Sequence, residues 1–189
     1  MEKSFEQVKT WLLTSGLFVN DETNPNSGGV YSYFDEQKNE FSFLYPEITG
    51  YFLSTLSFLY KIEKNENLIK YANLSANWLL KIYDKYGGII QGISTNKQQQ
   101  NYAYTFDTAI CIKGLLDIYK ISKNEKYLDY SKKMIDFLQE SLDEDGTLKP
   151  LKNLHNNKFE TNKKLWYQNK GCLHIKTSMA FFQLYEITN

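Results

Sequence analysis

Glu47, Asp107 and His174 stand at the openings of three apolar stretches, 48–62, 109–121 and 173–187. Two carboxyl groups held side by side suit work on a glycosidic bond, one as general acid and the other as general base, with their separation deciding the stereochemical outcome. His174 follows Gly171-Cys172-Leu173 and adds a group that titrates near neutrality, as a proton-transfer group or a ligand. Each also has a plainer reading. An acidic residue in the first turn of a helix interacts favourably with the free backbone N–H groups, and a histidine at a helix start is satisfied by a hydrogen bond. Glu47 is expected to face a cavity, because Pro46 suits a first-turn position and Tyr45 and Tyr51 flank it.

The surroundings of these residues point to the kind of ligand. The 22 basic residues are all Lys and balance 22 acidic ones, so no bidentate guanidinium clamp for phosphate exists and no basic footprint for nucleic acid or an anionic membrane is present. The 15 Tyr, 12 Phe and 3 Trp make 16% of the chain, and many precede the apolar stretches. Tyr31, Tyr33, Tyr45 and Tyr51 surround the first, Tyr102 and Tyr104 the second, Trp166 and Tyr167 the third. Amide side chains lie among them: Gln91, the run from Gln98 to Asn101, and Gln168. Flat apolar faces beside neutral hydrogen-bonding groups suit a glycan or small sugar. About half of these aromatics are expected to seal the core instead.

Cys172-x-His174 with Cys111 invites a zinc reading. Cys111 lies in an apolar run where small buried cysteines are common, and no ligand spacing supports a site, so neither metal nor cofactor is expected. Two cysteines make no disulfide framework, and the N-terminus carries neither a secretion signal nor a membrane span. The expected location is the cytoplasm.

A repeat dictates the elements that hold these residues. Leu59-Tyr60-Lys61-Ile62-Glu63-Lys64-Asn65-Glu66 recurs as Ile118-Tyr119-Lys120-Ile121-Ser122-Lys123-Asn124-Glu125 and again as Leu184-Tyr185-Glu186-Ile187-Thr188-Asn189. Hairpins are expected near 46–85, 104–142 and, incompletely, 171–189. The first helix of each is apolar almost all round and should be buried on both sides. The second carries one apolar stripe, as in Leu68, Ala72, Ser75, Leu79 and Ile82, and should be an outer helix. Phe5, Val8, Leu12 and Leu13 place a further outer helix ahead of the first hairpin. Tight turns at Lys64-Asn65 and Lys123-Asn124 contrast with long stretches at 16–45, 86–102 and 143–170, which must emerge together beside the N-termini of the inner helices. The Gly pairs at Gly28-Gly29 and Gly87-Gly88 suit short hairpins there.

Gly28-Gly29-Val30-Tyr31-Ser32-Tyr33-Phe34-Asp35 with Tyr45-Pro46-Glu47-Ile48-Thr49-Gly50-Tyr51 resembles segments of α/α-toroid proteins of bacterial polysaccharide biosynthesis. Phe106-Asp107-Thr108-Ala109 followed by Gly114-Leu115-Leu116-Asp117 is similar to a toroid pattern shared by sugar epimerases and glycoside hydrolases. The resemblance implies an all-α, six-hairpin glycosidase-like fold and a role in polysaccharide synthesis or modification. If the protein is an enzyme, it implies a glycosidase- or epimerase-like one using Glu47 and Asp107. A noncatalytic helical-repeat module, binding a glycan or protein by the same loop face, is the rival. A closed six-hairpin ring takes about twelve helices and this sequence encodes about six, roughly half a ring. Hence 1–189 is read as one toroid-like domain or fragment, whose ring is completed by a C-terminal half or by self-association.

Overall fold

The computed structural model describes residues 2–93, 100–161 and 165–189, apart from the side chains of Cys172 and Leu173. Gln98 and Gln99 of the glutamine run lie outside these residues. The repeated octapeptide is the chemistry of a helix–helix turn. Helix α2 (Pro46–Glu63) ends at Lys64 and α4 (Thr105–Ser122) at Lys123, both in the left-handed region with φ of 53° and 55°. The N–H groups of these lysines donate to the carbonyls of Tyr60 and Tyr119. Asn65 and Asn124 then cap α3 (Glu66–Tyr86) and α5 (Glu125–Glu140) by accepting the N–H groups of Asn67 and Lys126 at 3.0 and 3.2 Å. The hydroxyls of Tyr60 and Tyr119 donate to Glu66 and Glu125 at 3.2 and 3.1 Å, pinning each inner helix to its outer one.

Helices α2 and α4 make the most extensive contact in the molecule. They run parallel: Cys111 Sγ meets the Pro46 carbonyl at 3.3 Å near the start, and Ser57 Oγ donates to the Asp117 carbonyl at 3.2 Å two turns later. Between these points the backbones cross at two glycines. A Cβ on Gly114 would stand 2.5 Å from the Gly50 carbonyl oxygen, so no other residue fits without moving a helix. Outside them, α3 and α5 bury the predicted stripes, Leu68, Ala72, Leu79 and Ile82 in one and Tyr127, Leu128, Met134 and Leu138 in the other. The Tyr127 hydroxyl donates to Asn73 at 2.8 Å and the Tyr130 hydroxyl to Asp84 at 2.7 Å, so two tyrosines bind outer helix to outer helix.

Helix α1 (Glu2–Thr14) sits outside, its Phe5, Leu12 and Leu13 against the core and Lys9 paired with Glu63 at 2.7 Å. The third inner segment differs from expectation. Residues Cys172–Thr177 form a 3-10 helix, α6 begins only at Ser178 and runs to Thr188, and only Ala180 within α6 is buried. Its inward side packs on α4, while Met179, Phe182 and Tyr185 are exposed. On the concave side the three inner helices are joined by a polar chain: Lys113 Nζ contacts Ser54 Oγ at 3.1 Å and Asp117 at 2.7 Å, and Gln183 Nε2 donates to Asp117 at 2.7 Å.

The long loops interlock at the end where α2 and α4 begin. Strands β1 (Phe34–Asp35) and β2 (Glu40–Phe41) form a hairpin in the first loop. β3 (Tyr102–Tyr104) of the second loop pairs with β4 (Leu151–Asn153) of the third, which pairs in turn with β5 (Lys158–Glu160). A bridge between Leu44 and Ile93 ties the first loop to the second. Among the described residues the arrangement is a partial α/α toroid of three outer and three inner helices.

Candidate functional site

Tyr45 and Tyr104 end the loops that deliver the chain into α2 and α4, and both occupy the N-cap position. Four residues on, the hydroxyls of Thr49 and Thr108 donate back to their carbonyls at 3.0 and 2.7 Å. The oxygen of Thr49 also accepts the N–H of Val30 at 3.1 Å, fastening the first loop to the helix it feeds. The two starts are built alike, but their acids are not at like positions. Glu47 is the second residue of α2 and Asp107 the third of α4. One residue rotates a side chain by about 100° around a helix. Glu47 therefore heads the row through Tyr51 and Ser54 toward the concave side, whereas Asp107 heads the row through Ile110, Cys111 and Gly114 that forms the seam with α2. Glu47 is half-buried, and Asp107 is only 5% exposed.

Both acids line a cavity of about 380 Å³ together with Tyr45, Gln91, Tyr104, Phe106, Pro150, Trp166, Tyr167 and Lys176. The Tyr45 phenol lies beside both acids and Gln91 and interacts electrostatically with them. Burial, reinforced by the two nearby carboxylates, pushes the Tyr45 phenol far above its ordinary range. Burial also raises the Glu47 carboxyl, against which act the nearby Tyr45 phenol and the positive charge of Lys176. Asp107 is raised well above the ordinary 3.8, first by burial and then by the charge on Glu47, with Tyr45 and a backbone hydrogen bond opposing. The two environments differ: burial favours the protonated form of Asp107, and the Lys176 cation favours the ionised form of Glu47. Among the described residues Asp107 Oδ2 and Gln91 Oε1 are buried without a hydrogen-bond partner. Both belong to cavity-lining side chains.

Aromatic walls complete the cavity. Trp166, 74% exposed, stands edge-on to Tyr167 with ring centres 5.7 Å apart. Gln168 Nε2 donates to the Tyr104 hydroxyl at 3.3 Å, holding the third loop against the second. Tyr51 lies beside the cavity with Lys176 Nζ 6.0 Å from its ring centre. Tyr31, Tyr33 and Tyr102 do not line it. Tyr31 stacks on Phe41 at 5.0 Å, Tyr33 meets Phe43 edge-on, and Tyr102 pairs with Asn153 in the small sheet.

His174 is not brought to the two acids. It is buried, its Nε2 lies 3.3 Å from the Asn169 carbonyl, and its Nδ1 has no partner among the described residues. It lines a separate cavity of about 680 Å³ with Leu142, Leu148, Ile175 and Phe181. Burial lowers its pKa below the ordinary 6.5. Sequence reasoning passed over Phe106, Pro150 and, above all, Lys176. In the repeat Lys176 falls where α2 has Tyr51 and α4 has Ile110, so a cation at an otherwise apolar inner position was the available signal.

Among the described residues no group of three or more His, Cys, Asp or Glu converges as a metal site. No described helix is long and apolar enough to cross a membrane.

No curated protein matches the chain. Among solved structures it is similar to a cellobiose 2-epimerase from Bacillus thermoamylovorans, at 18% identity and a TM-score of 0.75, over 100% of this chain and 52% of that one. It is similar to a GH76 α-mannanase from Bacteroides thetaiotaomicron, at 18% identity and a TM-score of 0.61, over 76% of this chain and 39% of that one. A sugar epimerase from a ruminal bacterium aligns at 16% identity and a TM-score of 0.66, over 97% of this chain and 50% of that one. The chain thus spans about half the length of these epimerases and less of the mannanase. All share the α/α-toroid architecture. The family model for glycosyl hydrolase family 76 matches residues 18–185, nearly the whole length, and the chain belongs to that family.

Proposed function

We propose that this chain carries a glycan-processing site in which Asp107 is the proton donor and Glu47 the base. The observation that supports this best is the pair of unlike carboxyl groups gathered beside Tyr45 inside one aromatic-walled cavity. In the proposed reaction Asp107 gives its proton to the glycosidic oxygen as the bond to the anomeric carbon breaks. Glu47 takes a proton from the water that attacks that carbon, leaving two sugars with free hydroxyls. Trp166 and Tyr167 supply flat faces for the sugar rings, and Gln91 Oε1 accepts a sugar hydroxyl.

Membership of family 76 and the likeness to an α-mannanase favour an α-mannose-containing glycan, and cleavage over synthesis as the bond chemistry. A role in polysaccharide modification fits as trimming of such a glycan. The test is hydrolysis of α-mannan oligosaccharides and a wider glycan panel by the wild type, Glu47→Gln and Asp107→Asn, with binding measured in parallel. Turnover by the wild type that collapses in both variants while binding persists supports the reading. Binding without turnover in every form assigns the protein to the rival class, a noncatalytic glycan-binding module.

A further inference from the structure

The outer layer carries a groove of about 420 Å³ where the first loop crosses α3 and α5 begins. No described residue lines both this groove and the cavity of Glu47 and Asp107. Helix α3 supplies an apolar floor, Leu74 and Leu80, and a polar row at helical spacing, Asn77, Lys81 and Asp84. The loop supplies the opposite wall and is fixed by its own hydrogen bonds. Asn24 Oδ1 accepts the N–H of Asn26 at 2.9 Å, and the Asn24 carbonyl accepts the N–H of Ser27 at 2.9 Å. Glu22 pairs with Lys70 of α3 at 2.6 Å. Gly28 then presses the loop so closely on α3 that a Cβ there would stand 2.1 Å from the Leu74 carbonyl oxygen. The groove is therefore preformed, and all its walls belong to the middle of the helix array.

Its polar groups are unevenly engaged. Ser27 is only 7% exposed, yet its Oγ has no hydrogen-bond partner among the described residues. A buried hydroxyl left unpaired is costly, and native structures hold few of them. Among the described residues Lys81 and Lys126 form no ion pair and the Asn77 amide no hydrogen bond. Asp84 accepts the Tyr130 hydroxyl at 2.7 Å and keeps further acceptor capacity. Two acids and two lysines balance in the lining, so the groove selects neither an anion nor a cation. What it lacks is a neutral ligand that both donates and accepts. Several hydroxyls on one molecule do this, each giving one proton and accepting at two lone pairs. The C–H face of such a molecule suits Leu74 and Leu80.

We propose that this groove is a second saccharide-binding site, which holds one neutral unit of a glycan on the outer layer, away from the reacting acids. The choice of a sugar among polyhydroxyl ligands rests on the glycan reading of the Glu47–Asp107 cavity. A long glycan anchored in the groove raises the effective concentration of its other units at that cavity.

Titration of the ¹⁵N-labelled 189-residue chain with α-mannotriose, followed by amide chemical shifts, tests this. Saturable shifts are expected at Ser27, Asn77 and Lys126. Asn77→Ala and Lys81→Met, both exposed on α3, should each weaken binding at the groove by about tenfold. Cleavage of α-mannotriose should be unchanged in both, because neither residue lines the cavity. Ser27→Ala should weaken groove binding without lowering the melting temperature, since the hydroxyl it removes has no partner in the folded chain. A lowered melting temperature would make that hydroxyl structural and remove it from the site. No saturable shift at the groove with α-mannotriose or maltotriose overturns the inference, and so do groove shifts that appear with phosphate alone. Shifts at the groove with none at the cavity uphold the second site and count against the reading of the cavity, whereas shifts at the cavity alone do the reverse.

Discussion

Glu47 and Asp107 approach one hydroxyl, that of Tyr45, from unlike positions on two parallel helices. A phenol has one proton to donate, so it cannot satisfy two carboxylates at once. Burial deep in the helix seam favours the protonated form of Asp107, while the Lys176 cation favours the ionised form of Glu47. Five expectations rest on this geometry and on the packing that enforces it.

The rate of glycan cleavage should follow a bell-shaped pH profile, rising as Glu47 loses its proton and falling as Asp107 loses its own. Glu47→Gln and Asp107→Asn should each lower kcat by roughly 10²–10⁴-fold with ligand affinity changed only a few-fold. Lys176→Met should move the acid limb to higher pH, because the cation that favours ionised Glu47 is gone. An unmoved acid limb in that variant would exclude Glu47 as the base.

Stability should carry the same signature. The folded-state pKa of Asp107 lies above its unfolded value, so its contribution is fully present below the ordinary 3.8 and is lost as pH rises through the raised value. Asp107→Asn abolishes this titration. Denaturant melts from the ordinary 3.8 upward should show the variant gaining on the wild type as pH rises, and parallel curves would refute the burial of an unpaired acid.

His174 titrates in the opposite sense. Its folded pKa is depressed, so stability is present above the ordinary 6.5 and is lost as pH falls below it. In His174→Gln this acid-side loss between neutrality and pH 5 should be smaller, as read from melting temperatures of the two proteins over that interval.

Gly114→Ala should destabilise the protein by about 1–3 kcal/mol, since its Cβ would meet the Gly50 carbonyl oxygen at 2.5 Å and force α2 and α4 apart. The helix propensity of alanine offsets only up to about 1 kcal/mol of this. Gly146→Ala has open space around its Cβ but a φ of +78°, so its cost is backbone strain alone. Equilibrium urea unfolding separates the two variants, and a neutral Gly114→Ala would mean that the helices do not cross there.

Binding should depend on the third loop. Trp166→Ala is expected to weaken a bound oligosaccharide by about tenfold without changing the fold, because its ring is largely exposed at the cavity mouth. Titration calorimetry with the oligosaccharide that the wild type binds tightest provides the measurement.

The architecture was legible in the sequence because its information is local and repeated. Lys64-Asn65 and Lys123-Asn124 encode their turns by left-handed lysines and capping asparagines, and the one-sided stripes of α3 and α5 announce an outer layer. The position of Glu47 and Asp107 at helix starts was equally legible, and so was the convergence of the long loops at that end. Their partnership through Tyr45 was not, because it depends on a difference of one residue between two helix starts and on the Gly50–Gly114 crossing that brings the helices together. Lys176 joins Glu47, and His174 leaves it, only because a 3-10 segment rather than an α-helix opens the third inner element and sets which side chains turn toward the cavity. Local propensity and periodicity determine which segments are helices and which faces are apolar. The meeting of side chains remote in the chain is decided by helix register and close approach, which exist only once the helices are packed.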